Sequence, residues 1–397
     1  MTPPTVALVG AGGHGLRHRE RIAELQDQDD VRLVALCDIN PIVDDAEAPL
    51  PADAKLFDDH RLMLRETQPD VVVICTPPHT HVEIARDAAR AGADVLVEKP
   101  PVLTRAEHFE LVGVLRETGR VCQVGFQALG SAALVELTQA MAAGRLGEVT
   151  AISAVGSWQR DDGYYGRAPW AGRRSLGGQP VVDGALENPF AHALMQCLAL
   201  ATVVGDDQPS VVEFEGYRTR PIEVDDTACL RVGFTGGLVV VVAVSLCGED
   251  FIAGDIIVHG SGGWGVLEYP TDRLRLPGDS DFREVPGRVG LLENLLDHRA
   301  SGAPLLVPLE RTVGFTDLIE TVVAAPPAHP LEPPDVAVTG EGPERQTTIV
   351  GINAALRRAA EELRLFRELG VGWSVEPYRT VLHRGGVPAD HAVRTAG

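Results

Sequence analysis

The chain has 397 residues, of which 45% are hydrophobic and 23% charged, and its formal net charge is −21. This length and composition are typical of a globular protein with two domains. An acidic surface repels phosphate backbones and anionic lipids, so the charge argues against a nucleic-acid or membrane partner.

The six cysteines are scattered along the chain, without a Cys-x-x-Cys pair and without a histidine cluster at zinc-site spacing. This pattern predicts free thiols in a reducing compartment and no metal site. The amino terminus passes directly into an apolar run and has no signal-peptide pattern, and no run of 18 apolar residues occurs. We therefore expect a cytoplasmic protein.

Strand and helix signals alternate over residues 1–125, which predicts a doubly wound parallel sheet in a first domain with these bounds. Two helices have clear ends. One runs from about His81 to Ala91, and the other begins with a capping-box sequence at Thr104 and stops at Gly119. The predicted strands are Val6–Val9, Val31–Cys37, Val71–Cys75, Val95–Glu98 and Val121–Phe126.

From residue 126 onwards, strand signals follow one another with glycine-rich turns between them, which predicts a mainly antiparallel sheet in a second α+β domain, 126–397. A helix is expected from Asn188 to about Ala201, with Asn188 as N-cap and Pro189 in the first helical position. The proline-rich segment 324–344 is expected to be a loop, and a last helix is expected over roughly 348–368.

A glycine-rich loop follows the first predicted strand and opens a helical segment. In this context the first glycine permits a tight turn, the second lets the backbone approach a pyrophosphate, and the third allows close helix–strand packing. The amides at the helix start then face the phosphates. The loop therefore predicts a dinucleotide site formed by Gly10, Gly12, Gly13, His14 and Gly15.

Asp38 ends the second predicted strand and would accept hydrogen bonds from the adenosine ribose hydroxyls. It would repel a 2′-phosphate, and no arginine follows it directly, so NAD is favoured over NADP. The simpler alternative is an aspartate that stabilises a turn, since Asp-Ile-Asn-Pro is a good turn sequence.

Two further segments lie where parallel strands end, which is where ligands bind in such sheets. The third strand leads into Thr76 and Pro77, with His81 close behind, and the fourth ends in Glu98 and Lys99. We expect all five to line the cofactor site and Lys99 to act on a substrate hydroxyl as acid or base. The alternatives are a structural turn and a surface lysine.

Together, these three motifs resemble the glucose–fructose oxidoreductase, inositol dehydrogenase and rhizopine-catabolism (Gfo/Idh/MocA) family. The resemblance implies a Rossmann domain followed by a domain with an open-faced sheet that often makes oligomer contacts. It also implies hydride exchange between NAD(P) and a sugar, cyclitol or related polyol, with Lys99 as a catalytic or substrate-orienting residue.

The chain departs from the family pattern in the second domain. Many members have an aspartate after a glycine-rich turn and a histidine four positions later, whereas this chain has Asp183 and Glu187. Three alternatives stay open: His192 supplies the acid or base from the same helix face as Asn188, Glu187 replaces the histidine, or both are structural. Asp183 positions the substrate, orients a base, or simply holds the turn.

An aromatic and basic loop upstream supplies candidate substrate contacts, Tyr165 and Arg167, together with Asn188. We expect an NAD-dependent oxidoreductase acting on a sugar, cyclitol or related polyol. The alternatives are a non-catalytic NAD and sugar sensor and an NAD-assisted glycoside hydrolase. Because a broad sheet must have its second face covered, we also expect a homodimer or homotetramer formed through that sheet.

Overall fold

The computed structural model describes residues 2–45, 48–50, 53–205 and 208–382. The strands are β1 Thr5–Val9, β2 Arg32–Cys37, β3 Lys55–Phe57, β4 Val71–Ile74, β5 Asp94–Val97, β6 Cys122–Val124, β7 Val149–Gln159, β8 Ser175–Leu176, β9 Gln179–Pro180, β10 Pro209–Arg218, β11 Thr227–Phe234, β12 Val239–Ser245, β13 Cys247–Gly260, β14 Gly263–Glu268, β15 Arg273–Arg275, β16 Arg283–Glu284, β17 His329–Pro330, β18 Val336–Thr339, β19 Gln346–Ile349 and β20 Tyr378–Val381. The helices are α1 Gly15–Asp27, α2 His60–Thr67, α3 His81–Arg90, α4 Arg105–Thr118, α5 Ala132–Ala142, α6 Asp162–Tyr165, α7 Ala191–Val204, α8 Leu291–Ser301, α9 Val313–Ala324 and α10 Ile352–Glu362.

The first unit contains a six-stranded parallel sheet in the order β3-β2-β1-β4-β5-β6. This is the order of a doubly wound dinucleotide-binding sheet, so the predicted fold class is confirmed. The sequence order reverses between β1 and β4, and both strands are built from continuous apolar runs that are buried. The α4 helix begins with the predicted capping box, in which Thr104 and Glu107 each accept the other's backbone N–H.

The first unit consists of 1–126 and 290–316, so it includes a segment that lies beyond the predicted domain boundary at residue 125. Hydrogen bonds from Gln123 on β6 join this later segment to the first unit. Its side-chain amide donates to Leu291 O at 3.2 Å and to Asn294 Oδ1 at 2.6 Å, and its Oε1 accepts the N–H of Val307 at 2.9 Å. Assigning the whole of 126–397 to the second domain is therefore wrong for 290–316.

The second unit, 127–289 with 317–397, is organised around a mainly antiparallel sheet, as expected. Its strand order is β16-β15-β14-β13-β7-β12-β11-β10-β17, and β20 also pairs with β10. Two pairs are parallel, β7 with β12 and β10 with β17. The segment 324–344, expected to be a loop, contributes β17 and β18.

Helices of the same chain pack on both faces of the central strands of this sheet, β7, β12 and β13. Gly156 on β7 faces Phe190 at the start of α7, whereas its neighbour Val155 packs in a core with Ile352 and Leu356 of α10. Adjacent strand residues point to opposite faces, so α7 and α10 cover opposite sides. These helices lie on the central strands of the sheet, and the expected homodimer or homotetramer through this sheet stays a prediction.

The last predicted helix, 348–368, is shorter in the structure, where β19 precedes α10 and a left-handed residue, Leu363, caps it. Its spacing of buried residues, three to four apart, explains why one side lies on the sheet. Among the described residues, no helix is both long and apolar enough to span a bilayer.

Candidate functional site

The glycine-rich loop lies at the carboxyl end of β1, between the ends of β2 and β4. Gly10 has a φ of +88°, and a Cβ on it would overlap the carbonyl oxygen of Cys75. A Cβ on Gly15 would overlap the carbonyl oxygen of Gly10, so the first turn of α1 must pack directly on the loop. No described residue lies within 4 Å of a Cβ built on Gly13, so this side of the loop has room for a ligand. The loop therefore fits a pyrophosphate at a helix start.

Asp38 lies beside the loop and makes the contacts of a turn aspartate, and its contact with the adenosine ribose stays a prediction. Its Oδ2 accepts the N–H groups of Ala11 at 3.0 Å and Gly12 at 3.2 Å. Its Oδ1 accepts the N–H of Asn40 at 2.9 Å, which is the contact of a turn aspartate. The carboxylate thus stabilises the loop at the position where an adenosine ribose is bound in this type of sheet.

His81 joins the two other predicted segments but is itself buried, with 1% of its surface exposed. Its Nδ1 lies 2.9 Å from Pro100 O and its Nε2 lies 2.8 Å from Thr76 O. Both ring nitrogens are therefore occupied by backbone carbonyls, and the expected direct contact with the cofactor is replaced by a positioning role. His81 ties the turn at Thr76 and Pro77 to the segment that carries Lys99.

Glu98 faces two histidines of the α1 start. Its Oε1 lies 2.9 Å from His18 Nε2 and 3.6 Å from His14 Nε2, and its Oε2 accepts the N–H of Lys99 at 3.2 Å. Burial opposes the charge of the Glu98 carboxyl, but the histidine hydrogen bonds outweigh it and hold its pKa well below the usual range. The same contact raises the pKa of His14. Positive charge is thereby favoured beside the phosphate-binding loop.

Lys99 is half-buried at the end of the β5 segment, next to a cis peptide bond to Pro100. The chain contains 33 arginines but only two lysines, Lys55 and Lys99. An arginine remains charged at every physiological pH, whereas a lysine can give up and regain a proton. The lysine at position 99 is thus the residue type that proton exchange requires.

In the second unit, Asp183 is the centre of a hydrogen-bonded cluster. Both of its oxygens accept from Arg167, at 2.8 and 2.9 Å, and further bonds come from Gly172 N at 2.8 Å and Asn188 Nδ2 at 2.6 Å. Asp183 is 2% exposed. A carboxylate this fully hydrogen-bonded holds the surrounding loop in place, which favours the turn-holding alternative over an acid–base role.

Asn188 does not cap the helix. The α7 helix begins at Ala191 after Phe190, because the Asn188 amide is engaged by Asp183 and its N–H donates to Gly184 O. Asn188 and His192 therefore do not share a helix face in the way we expected. His192 lies half-buried in the first turn of α7.

Glu187, at the position of the family's histidine, is paired with a residue that the sequence did not indicate. A Cβ on Gly184 would meet carboxyl oxygens of both Glu187 and Asp225, so the two groups converge over this glycine. They are 3% and 4% exposed. Burial and the neighbouring Asp225 raise the pKa of Glu187 well above its usual range, and burial raises that of Asp225 to about 7.

Tyr165 and Arg167 occupy one loop but have different surroundings. Arg167 stacks over the ring of Tyr164, with 3.7 Å between the guanidinium carbon and the ring centroid. Tyr165 has a buried hydroxyl without a hydrogen-bond partner in the described part of the chain, and the Arg220 guanidinium lies 5.2 Å from its ring centroid. Tyr165 therefore faces a different set of groups, which line a pocket.

Two family models match this chain. Residues 5–126 match the model described as "Oxidoreductase family, NAD-binding Rossmann fold", and residues 134–266 match the "GFO/IDH/MocA C-terminal domain". Together they cover more than half of the chain. The chain belongs to the Gfo/Idh/MocA oxidoreductase family. Its first unit is the NAD-binding Rossmann domain of that family.

Among curated relatives, the chain is 30% identical to the D-glucoside 3-dehydrogenase of Escherichia coli, over 46% of this chain and 51% of that protein. It is 27% identical to the glycosyl hydrolase family 109 protein 1 of Akkermansia muciniphila, over 30% of this chain and 26% of that protein. The chain thus spans about half or less of the length of the relatives it matches.

The fold is also that of solved family members. The crystal structure of the WlbA dehydrogenase from Bordetella pertussis, in complex with NADH and UDP-GlcNAcA, is similar with a TM-score of 0.66 and 22% identity. The similarity covers 84% of this chain and all of that one.

Within this family pattern, Asp225 is the functional candidate that sequence reasoning missed. It stands next to Asp226, directly before the buried strand β11, and both carboxyls are buried. Two adjacent acidic residues at the start of an apolar strand are unusual, since ionised carboxyls are rarely buried without partners. This pair of acidic residues could therefore have indicated a buried carboxyl site from the sequence.

Proposed function

We propose that the protein is an NAD-dependent oxidoreductase that transfers a hydride between the nicotinamide and a hydroxyl-bearing carbon of a sugar, cyclitol or related polyol. The observation that carries the proposal is a lysine at position 99, at the carboxyl edge of an NAD-binding sheet, in a chain that otherwise uses arginine for all but one of its basic side chains. The bound nicotinamide would supply the hydride acceptor or donor. NADP is disfavoured because Asp38 would repel its 2′-phosphate.

Residues of this chain would exchange the proton and hold the substrate. Lys99 exchanges the proton of the reacting hydroxyl, and His81 and Glu98 fix the segment that carries it. In the second unit we assign the second acid or base to His192, because Glu187 is enclosed with Asp225 and almost without exposed surface. Asp183, with Arg167 and Asn188, then holds the substrate loop.

The two lysines provide a matched test of this proposal. Lys99→Arg keeps the positive charge but removes a group that can exchange a proton, so turnover should fall by about 10²–10⁴-fold. Lys55→Arg, on the edge strand β3, is the control and should leave turnover unchanged. NADH formation is measured over a panel of sugars and cyclitols, with NADH affinity measured separately by fluorescence.

Equal turnover of the two variants, or equal loss of turnover and NADH affinity in Lys99→Arg, would contradict the role of Lys99. His192→Asn and Glu187→Gln then decide between the two second-unit candidates. The assignment to His192 requires that His192→Asn reduces turnover much more than Glu187→Gln.

The similarity to a family 109 glycosyl hydrolase supports a second candidate function, NAD-assisted cleavage of a glycoside without net NADH formation. Release of nitrophenol from nitrophenyl glycosides, with no accumulation of NADH, would select this function. Binding of NAD with neither reaction would select the sensor.

For the cellular context, we propose a cytoplasmic location. All six cysteines are free and five of them are buried, which is the usual state in a reducing compartment.

A further inference from the structure

A pocket in the second unit has a lining that neither the family match nor the assigned residues explain. It has a volume of about 380 Å³ and is bounded by the α6 turn, the segments 171–173 and 220–223, and Arg345. This volume is large enough for a small molecule such as a monosaccharide.

The charges around the pocket are the reverse of those of the whole chain. Arg173, Arg220 and Arg345 line it against only two acids, Asp162 and Glu223. The whole chain has 56 acidic and 35 basic residues. A local excess of arginine in so acidic a protein favours an anionic ligand.

One of the two acids is already neutralised. Asp162 accepts from Arg220 Nε at 2.8 Å through Oδ1 and from Arg345 Nη1 at 3.2 Å through Oδ2. Arg173 and Glu223 are more loosely placed, with 3.8 Å between Arg173 Nη1 and Glu223 Oε1. The partly exposed guanidinium groups of Arg173 and Arg345 therefore have donors that the acids of the pocket do not occupy.

Arg220 is the rigid member of this group. Its side chain is 2% exposed, and besides Asp162 it donates to Arg160 O at 2.6 Å, to Thr219 Oγ1 at 3.3 Å and to Cys247 Sγ at 3.4 Å, with the buried Asp226 carboxylate at 3.8 Å. The backbone of Arg345 is fixed at the start of α6, because its carbonyl accepts the N–H of Asp162 at 3.0 Å. Arg220 is thus committed to protein acceptors and fixes Asp162, whereas Arg345 and Arg173 keep exposed guanidinium donors that suit a carboxylate or phosphate.

Two further observations indicate an organic ligand and not a simple ion. The ring of Tyr165 and the Pro221-Ile222 pair add apolar walls, and the buried Tyr165 hydroxyl has no partner in the described part of the chain. In addition, Gly172 in the pocket wall donates its N–H to Asp183, so the pocket adjoins the cluster proposed to hold the substrate loop. An aromatic wall with fixed polar groups is suited to a sugar ring.

We propose that this pocket binds the anionic group of an acidic sugar, a carboxylate or a phosphate, so that the substrate is a polyhydroxylated acid and not a neutral sugar. The identity of the ligand as substrate rests on the proposed function, whereas the binding itself does not.

The test compares Arg173→Gln/Arg345→Gln with Arg358→Gln, a control on the exposed side of α10 with a similarly exposed side chain. Calorimetric titrations of the full chain with NADH present use D-glucuronate, D-glucose 6-phosphate and methyl β-D-glucoside. We expect at least one acidic sugar to bind about tenfold or more tightly than the glucoside, and the double variant to lose this preference. Glucuronate and the phosphate ester distinguish the two anionic groups.

Equal affinity for acidic and neutral sugars, or an acidic-sugar affinity that is the same in the double variant and the control, would overturn the proposal. Arginine-dependent binding without turnover of any ligand would keep the pocket and reject the dehydrogenase function. Turnover of neutral sugars that is unchanged in the double variant would keep the dehydrogenase function and reject the role of the pocket.

Discussion

Replacing Asp225 by asparagine should stabilise the protein above neutral pH and remove the part of its pH dependence that Asp225 contributes. The carboxyl of Asp225 converges with that of Glu187 over Gly184, and its Oδ2 accepts the N–H of Ala185 at 3.1 Å. Asparagine keeps that acceptor and places an N–H donor at the other oxygen position. That position faces Glu187 Oε2, which is buried and has no hydrogen-bond partner among the residues that the structure describes.

The sign and size of the effect follow from the pKa of Asp225. Burial raises it from 3.8 to about 7, so the folded protein binds more protons than the unfolded chain between these values. The contribution of Asp225 to the free energy of unfolding is therefore fully present below this window and falls as pH rises through it. At about 1.4 kcal/mol per pKa unit, the loss is at most about 4 kcal/mol above pH 7.

Urea unfolding followed by tryptophan fluorescence measures this at about pH 5 and about pH 8. We expect the wild-type protein to lose stability between the two, and Asp225→Asn to lose much less. Asp281→Asn, an exposed aspartate in the same unit, is the control and should follow the wild type. A variant that is less stable than the wild type at the higher pH would refute the account of a shared, costly charge.

Three further outcomes are expected. Gly15→Ala forces a Cβ against the carbonyl oxygen of Gly10 and should weaken NADH binding by about 1–3 kcal/mol in a fluorescence titration, whereas Gly113→Ala, with open space around it, should not. Asp38→Ala removes a charged acceptor and should weaken NAD binding by about tenfold. It should also reduce the ratio of the affinity for NAD to the affinity for NADP, and titrations with each cofactor measure both affinities. Ala359→Glu places a charge between α10 and the sheet and should cost several kcal/mol in urea unfolding. If the sheet instead formed a subunit interface, the same variant would shift the sedimentation coefficient of a stable protein.

The first unit could be predicted from sequence because its signals are local. An apolar run, a glycine loop and a capping box each specify structure within a few residues, and Val71–Ile74 and Thr104 behave as their types dictate. The return of 290–316 could not be predicted this way. It depends on Gln123 bonding to residues more than 160 positions away, and no local pattern carries that information.

The site residues of the second unit were predictable by type but not by role. Asp183 and Glu187 stood out by their spacing, yet their roles depend on partners from distant segments, Arg167 for one and Asp225 for the other. The N-cap prediction for Asn188 was wrong for the same reason. A capping residue has an alternative partner whenever tertiary structure brings a carboxylate close, and here Asp183 does so.

The exchange of histidine for glutamate in the family pattern changes where proton transfer can take place. A histidine titrates near neutral pH by itself, but burial and Asp225 raise the pKa of Glu187 well above its usual range, and its carboxyl is enclosed. A proton stored there cannot reach a substrate unless the pair opens. In the proposed mechanism, proton exchange is therefore assigned to Lys99 and His192, and not to the position of the family's histidine. Because Lys99 is one of only two lysines in the chain, Lys99→Arg tests this proposal more directly than a change at position 187.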